Sequence, residues 1–346
     1  MAEPTGETAQ IDPRLHAFLV RAGLAGEAEP QLWSMLSGGV SSDIWRVEAG
    51  GRTLCVKRAL AKLRVAADWR APVNRNLYEW RWFETVRVFL PHAVPAPLAA
   101  DHDLGVFAME YLDPRTHPVW KSRLLRGEAD IAFAAAVGDR LGVIHAKTAL
   151  SAEIARRFAT DALFHALRPA PYLLATAEKH AALAETLRGL VARTEATHLA
   201  LVHGDVSPKN ILAGPAGPVF LDAETAWYGD PAFDLAFCLN HMLLKCLPAP
   251  AATQALLESF AAMTTAYRNH VCWEPPAALE RRAASLLPGL LLARVDGKSP
   301  VEYLTDERDK AVVRTAAMPL IAQPPDRLET VAQAWTAQVL RRISRS

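Results

Sequence analysis

Residues 201–224 read L-V-H-G-D-V-S-P-K-N-I-L-A-G-P-A-G-P-V-F-L-D-A-E, and no other stretch limits the possible folds as tightly. An apolar start runs into His203-Gly204-Asp205, and a polar loop follows as far as Asn210. Two short strand-like segments, 211–213 and 219–221, then flank the turn Gly214-Pro215-Ala216-Gly217. Glycine and proline in those places predict a tight hairpin. The second segment ends on Asp222-Ala223-Glu224. A loop aspartate, an asparagine shortly after it and an aspartate beyond a hairpin make a compact set of oxygen ligands. Magnesium takes few carboxylates together with phosphate oxygens, and phosphoryl transfer also needs an acceptor for a hydroxyl proton. An isolated H-G-D would be an ordinary polar turn; the order and spacing of the whole set are not ordinary.

This order resembles the catalytic loop and metal-binding segment of the protein-kinase-like fold. H-G-D with D-x-E, in place of H-R-D with D-F-G, is similar to the aminoglycoside phosphotransferase and choline kinase-like family. The resemblance runs over residues 32–296 and is firmest over 203–234. It implies an α+β, two-lobed protein-kinase-like fold. Residues 1–112 would form a small antiparallel β-sheet lobe and 113–346 a larger, mostly helical lobe, with ATP in the cleft. It further implies Asp205 as catalytic base and Asn210 and Asp222 as holders of Mg2+, with Glu224 assisting.

Earlier in the chain, Asp12 is placed to cap a helix that has Pro13 at its first position. Residues 32–36 and 44–48 read as strands around Ser37-Gly38-Gly39-Val40-Ser41-Ser42. Such a tip exposes backbone N–H groups that can cover phosphates, so Gly38, Gly39 and Ser41 are expected there. Gly50-Gly51 leads into an alternating strand that ends on Lys57. By the resemblance Lys57 meets the α- and β-phosphates, and Glu79, ahead of Glu84, holds it from the next helix. A plain hairpin and a solvated lysine would fit the same residues. The basic-apolar segment between them resembles the insert of methylthioribose kinase, and Arg64, Arg70 and Arg75 could approach phosphates from it. Residues 106–112 read as a strand and, by resemblance, as a hinge. There the backbones of Glu110 and Leu112 would bond the adenine edge and Met109 would lie against the ring.

The remainder reads as helical, with helices expected around 163–167 and 173–197 among others. His145 sits at a helix end and is expected to make a structural hydrogen bond. Asp234 is expected to cap the following helix and to accept N–H groups of the H-G-D loop. His241 and Lys245 share a helix face, which a half-exposed helix would explain equally well. With Trp227 and Arg294, His241 is a candidate for the acceptor-substrate site. Gly297-Lys298-Ser299 imitates the end of a phosphate loop, but Leu292 stands where its first glycine belongs. Methylthioribose kinase has two adjacent arginines in the corresponding helix; here Ala293 precedes Arg294.

A net charge of +1, with 22% charged and 51% hydrophobic residues, provides no field for nucleic acid and no run able to span a bilayer. The four cysteines, Cys55, Cys238, Cys246 and Cys272, lack metal-like spacing and are expected as buried reduced thiols of a cytoplasmic protein. The expected activity is ATP- and Mg-dependent phosphotransfer to a small-molecule hydroxyl, on a metabolic sugar or amino alcohol, methylthioribose-like compounds included. Neither nucleic acid nor membrane is an expected partner, and a homodimer is compatible with the reading. An aminoglycoside antibiotic phosphotransferase would need a dense acidic acceptor site, and no acidic run supplies one. A nucleotide-binding pseudokinase acting as an interaction module would not need the full set of catalytic oxygens. A protein kinase would need D-F-G and A-P-E segments, and neither is found.

Overall fold

Asp12 accepts the backbone N–H of Arg14 at 3.0 Å and Pro13 follows it, so α1 (Pro13–Arg21) starts as its sequence dictates. The computed structural model describes residues 11–36, 42–60 and 75–344. Two compact units make up the chain. The first comprises Met1–Val119 with Leu212–Glu224, the second Trp120–Ile211 with Thr225–Ser346. The boundary expected at 112/113 lies within the first unit, which the chain re-enters with the hairpin after the H-G-D loop.

In the first unit β1 (Leu32–Met35), β2 (Ser42–Ala49) and β3 (Arg52–Ala59) are followed by α2 (Arg75–Arg87), β4 (Pro97–Asp101) and β5 (Val106–Glu110). The strands form one antiparallel sheet in the order β1-β2-β3-β5-β4. Gly50 and Gly51 both have positive φ (58° and 68°), which gives the two-residue turn between β2 and β3 the twist of its strands. Alternation sorts the side chains of β3 to opposite faces. Leu54 and Val56 join Trp45, Val47, Val106 and Ala108 in a core closed by Leu15, Phe18 and Leu19 of α1, at helical spacing. Cys55 and Lys57 take the other face. There Trp80 and Phe83 of α2 meet Phe107, with ring centres 5.9 and 6.2 Å apart.

The second unit begins with α3 (Trp120–Leu125), α4 (Ile131–Thr148), α5 (Ala152–Arg157) and α6 (Asp161–Leu167). A π-helical turn (Ala170–Leu174), α7 (Ala175–Lys179) and α8 (Ala184–Glu195) then lead to β6 (Ala200–Val202). Helix expected over 173–197 is thus interrupted. Its break falls at His180, whose backbone leaves the helical region while its side chain bonds Asp296 at 2.9 Å. After the hairpin β7 (Ile211–Gly214) and β8 (Gly217–Phe220), β9 (Trp227–Gly229) pairs with β6. The chain closes with α9 (Pro231–Lys245), α10 (Thr253–Arg268), α11 (Pro276–Asp296), α12 (Glu307–Ala322) and α13 (Leu328–Ile343).

Every residue of α9 is buried, as suits a helix apolar around most of its circumference. The half-exposed face on which His241 and Lys245 could have lain does not exist. Gly138 and Gly142 of α4 let α10 approach closely: a Cβ on Gly138 would stand 2.2 Å from the Met263 carbonyl oxygen. Cys55, Cys238 and Cys246 are buried, whereas Cys272, in the loop before α11, is exposed, contrary to expectation. Among the described residues no helix is long and apolar enough to cross a membrane.

Candidate active site

Lys57 is buried on the face of β3 that α2 covers, and its ammonium group meets two carboxylates. Nζ lies 2.7 Å from Glu79 Oε2 and 2.5 Å from Asp222 Oδ1. Burial opposes its charge, but Asp222 and Glu79 outweigh burial and raise the lysine above its ordinary value. Glu79 closes the triangle, because its Oε1 accepts the backbone N–H of Asp222 at 3.1 Å. Asp222 follows β8 with φ +65°, a left-handed conformation that a non-glycine residue adopts at some cost and that aspartate tolerates better than most.

One helical turn before Glu79, Arg75 is fully buried and donates from Nε to Glu224 Oε2 at 2.9 Å and from Nη2 to the Leu60 carbonyl at 2.7 Å. Positions i and i+4 of α2 therefore hold both ends of Asp222-Ala223-Glu224. Arg75 serves that clamp. The three carboxylates differ in access: the side chain of Asp222 is 28% exposed, against 1% for Glu79 and 12% for Glu224.

The H-G-D loop belongs to the second unit. Buried Asp234 accepts the N–H groups of His203 (2.7 Å, Oδ2) and Gly204 (2.9 Å, Oδ1), as expected. The expected capping role falls elsewhere. Asp230 caps α9 by accepting from Ala232 N at 3.0 Å with Pro231 in the first helical position, so Asp234 already lies inside the helix. His145 lies between Asp234 Oδ2 (3.3 Å) and the Tyr267 hydroxyl (2.7 Å), a structural bridge. Gly204 has φ +78°, and a Cβ there would stand 2.6 Å from the Thr225 carbonyl oxygen, so glycine is required.

Asp205 is buried at the end of this loop. Its Oδ2 receives Asn210 Nδ2 at 2.9 Å, Arg168 Nη2 at 3.0 Å and Lys209 Nζ at 3.2 Å. Arg168 also donates to the Gly204 carbonyl at 2.5 Å. Its guanidinium faces the Tyr172 and Phe237 rings, 5.9 Å from each centre. Arg294, on α11, donates to the Tyr172 hydroxyl at 2.9 Å and to Ser299. Sequence reading missed Arg168 and Tyr172, which lie in the broken helical stretch with no motif to mark them.

Other expected site residues are placed as follows. Gly38, Gly39 and Ser41 lie outside the described residues, as do Arg64 and Arg70. Glu110 ends β5, donating its N–H to Ala96 O at 2.8 Å and accepting Ala96 N at 3.1 Å on its carboxylate. Leu112 packs with Leu212 and Val219, and among the described residues its backbone makes no hydrogen bond. His241 is buried within the second unit, 3.4 Å from the Tyr303 hydroxyl. Trp227 stacks on Phe164 at 4.2 Å and donates to Asp161 at 2.9 Å, at a hollow of about 260 Å³ that Glu195 also lines. Nothing in these contacts joins it to Asp205.

A model of the APH phosphotransferase enzyme family matches residues 33–245. A methylthioribose kinase of Pectobacterium atrosepticum is 25% identical over 282 residues, 69% of this chain and 70% of the relative. A methylthioribose kinase of Yersinia pseudotuberculosis is 24% identical over 287 residues, 70% of this chain and 69% of the relative. Among solved structures, an amicoumacin kinase in complex with AMP-PNP and Ca2+ superposes with a TM-score of 0.54 at 13% identity, covering 92% of this chain and 98% of that one. That likeness is one of fold: the α+β, two-lobed protein-kinase-like architecture expected from the sequence.

Proposed function

The chain belongs to the phosphotransferase enzyme family, whose members act on small-molecule hydroxyls, and we propose that it transfers the γ-phosphoryl group of ATP, with Mg2+, to such a hydroxyl. The observation that carries this reading is the buried Lys57–Glu79–Asp222 triangle. A cation fixed in this way is suited to the α- and β-phosphates, and the strained Asp222 is held ready at its side. Leu112, whose backbone polar groups make no hydrogen bond among the described residues, suits the adenine edge, and Glu110 frames it.

The oxygen donors fit a hard cation. Asp222 is the accessible carboxylate of its group. Asn210 turns its Nδ2 to Asp205, which leaves Oδ1 as the atom for a metal. Glu224 fits less well, since Arg75 occupies it, and its proposed role is to hold Asp222 in position. When bound, Mg2+ would offset charge on the phosphate oxygens. Asp205, held by Asn210, Arg168 and Lys209, would orient the acceptor hydroxyl and accept its proton. A loose transition state asks for positioning and charge stabilisation above all. A cytoplasmic setting accords with this reading, since ATP is available there and the thiols would stay reduced.

Asp205→Ala tests the assignment. Turnover should fall by about 10²- to 10⁴-fold while AMP-PNP still binds, as followed by ADP release and calorimetry. Near-normal turnover would remove Asp205 from the reaction.

A further inference from the structure

His241 and Lys245 stand one turn apart on α9, and both reach Tyr303. His241 Nδ1 is 3.4 Å from the Tyr303 hydroxyl, and Lys245 Nζ is 3.7 Å from the ring centre. The His241 ring also packs edge-on against Phe237 at 5.7 Å, the ring that Arg168 faces. Arg294 reaches the same neighbourhood through Tyr172, whose ring Arg168 likewise faces. A continuous set of contacts within the second unit thus links His241, Lys245 and Arg294 to Arg168, which holds Asp205.

All three are more than nine-tenths buried. Yet among the described residues no carboxylate forms an ion pair with Lys245 or Arg294, and Glu302 is paired with Lys121 instead. His241 Nε2 and Arg294 Nε are buried without any hydrogen-bond partner among the described residues. Glu302 acts on Lys245 from a distance but is shared with Lys121, and burying an excess of one charge is strongly unfavourable, since folded chains pair buried charges. The repulsion shows in the side chains themselves. Burial, then Lys121 and Arg294, push Lys245 down to about 7 although Glu302 opposes them, and burial, then Arg294 and Lys245, hold His241 well below its ordinary value.

A cationic acceptor would add to this repulsion, a neutral one would leave it, and an anionic one would relieve it. We infer that the acceptor is an anionic hydroxyl compound, carrying a carboxylate or phosphate group that Lys245, Arg294 and His241 Nε2 bind while its hydroxyl is presented to Asp205. This rests on the phosphotransfer reading above and narrows it, setting aside amino alcohols and polycationic antibiotics as well as neutral sugars such as methylthioribose.

The test is binding, so that it reads independently of turnover. Protein saturated with AMP-PNP and Mg2+, a state checked separately by calorimetry, is titrated at constant ionic strength. The probes are D-glycerate, D-gluconate and glycerol 3-phosphate, against glycerol, sorbitol, methylthioribose and ethanolamine. At least one anionic probe should bind and raise the melting temperature more than every neutral and cationic probe does. Lys245→Met should weaken that binding about ten- to a hundredfold, the worth of a charged hydrogen bond. Preference for a neutral or cationic probe, no binding of any anionic probe, or anion binding undiminished in Lys245→Met would overturn the inference. Failure of AMP-PNP to bind would instead count against the phosphotransfer reading, and the same titration on nucleotide-free protein still decides the acceptor class.

Discussion

Glu79 holds Asp222 by its backbone: Oε1 accepts the Asp222 N–H at 3.1 Å while Oε2 meets Lys57 Nζ at 2.7 Å. One carboxylate thus fixes two members of the proposed phosphate site. Glu79→Gln keeps an oxygen acceptor and removes the charge. The variant should fold, and kcat/KM for ATP should fall by about a hundredfold, the effect of a small misplacement of a reacting group. Steady-state ADP release at varied ATP measures this, and an unchanged kcat/KM would detach Glu79 from nucleotide positioning.

Arg75 and Glu224 form a buried pair at 2.9 Å. Arg75→Met strands the carboxylate and should cost about 3–5 kcal/mol in urea unfolding. Arg75→Met/Glu224→Gln should cost clearly less, because no unpaired charge is left buried. Equal losses in the single and double variants would show that the stranded carboxylate carries no penalty of its own.

Gly138 and Gly189 should respond oppositely to alanine. Gly138 has the Met263 carbonyl where its Cβ would go, and overpacking there should cost about 1–3 kcal/mol. Gly189, exposed on α8 with open space around it, should gain about 0.5–1 kcal/mol from the smaller conformational freedom of the unfolded chain. Thermal melts of the two variants decide the signs.

Lys245 gives stability a pH dependence. Burial above all, then Lys121 and Arg294, push it down to about 7 from an ordinary 10.5, with Glu302 favouring its charge. Between those values the unfolded chain binds a proton that the folded chain does not, so this contribution rises with pH. Below about 7 both states are protonated and the penalty is full. In anion-free buffer Lys245→Met should therefore be more stable than the native chain near neutrality. The gap should close with rising pH, by at most about 1.4 kcal/mol per unit. A gap that does not change with pH would show that the lysine does not titrate in this range.

Much of the framework is legible in local sequence. The cap at Asp12, the Gly50-Gly51 turn, the alternation that buries Lys57 and the hairpin after Asn210 all follow from short-range rules. The cap of α9 is a subtler case: Asp230 and Asp234 both precede or open the helix, and Pro231, which favours the first helical position, decides between them. Arg75 as the partner of Glu224 could not be read, because 149 residues separate them and the spacing of D-x-E says nothing of what will oppose it. The surroundings of His241 are of the same kind. Tyr303 lies 62 residues away in an unremarked loop, and only the folded chain shows that the expected outer face of α9 is interior.

The glycine pair of α4 has a consequence for how damage would spread. Gly138 and Gly142 set how near α10 comes, and His145, on the next turn of α4, bridges Tyr267 of α10 to Asp234. The distance between two helices is thereby converted into the posture of the H-G-D loop, since Asp234 grips its two N–H groups. A substitution that wedges α4 from α10 should silence turnover at a lower dose of denaturant than it takes to unfold the chain. A mutational survey would then score these glycines as though they touched the substrate.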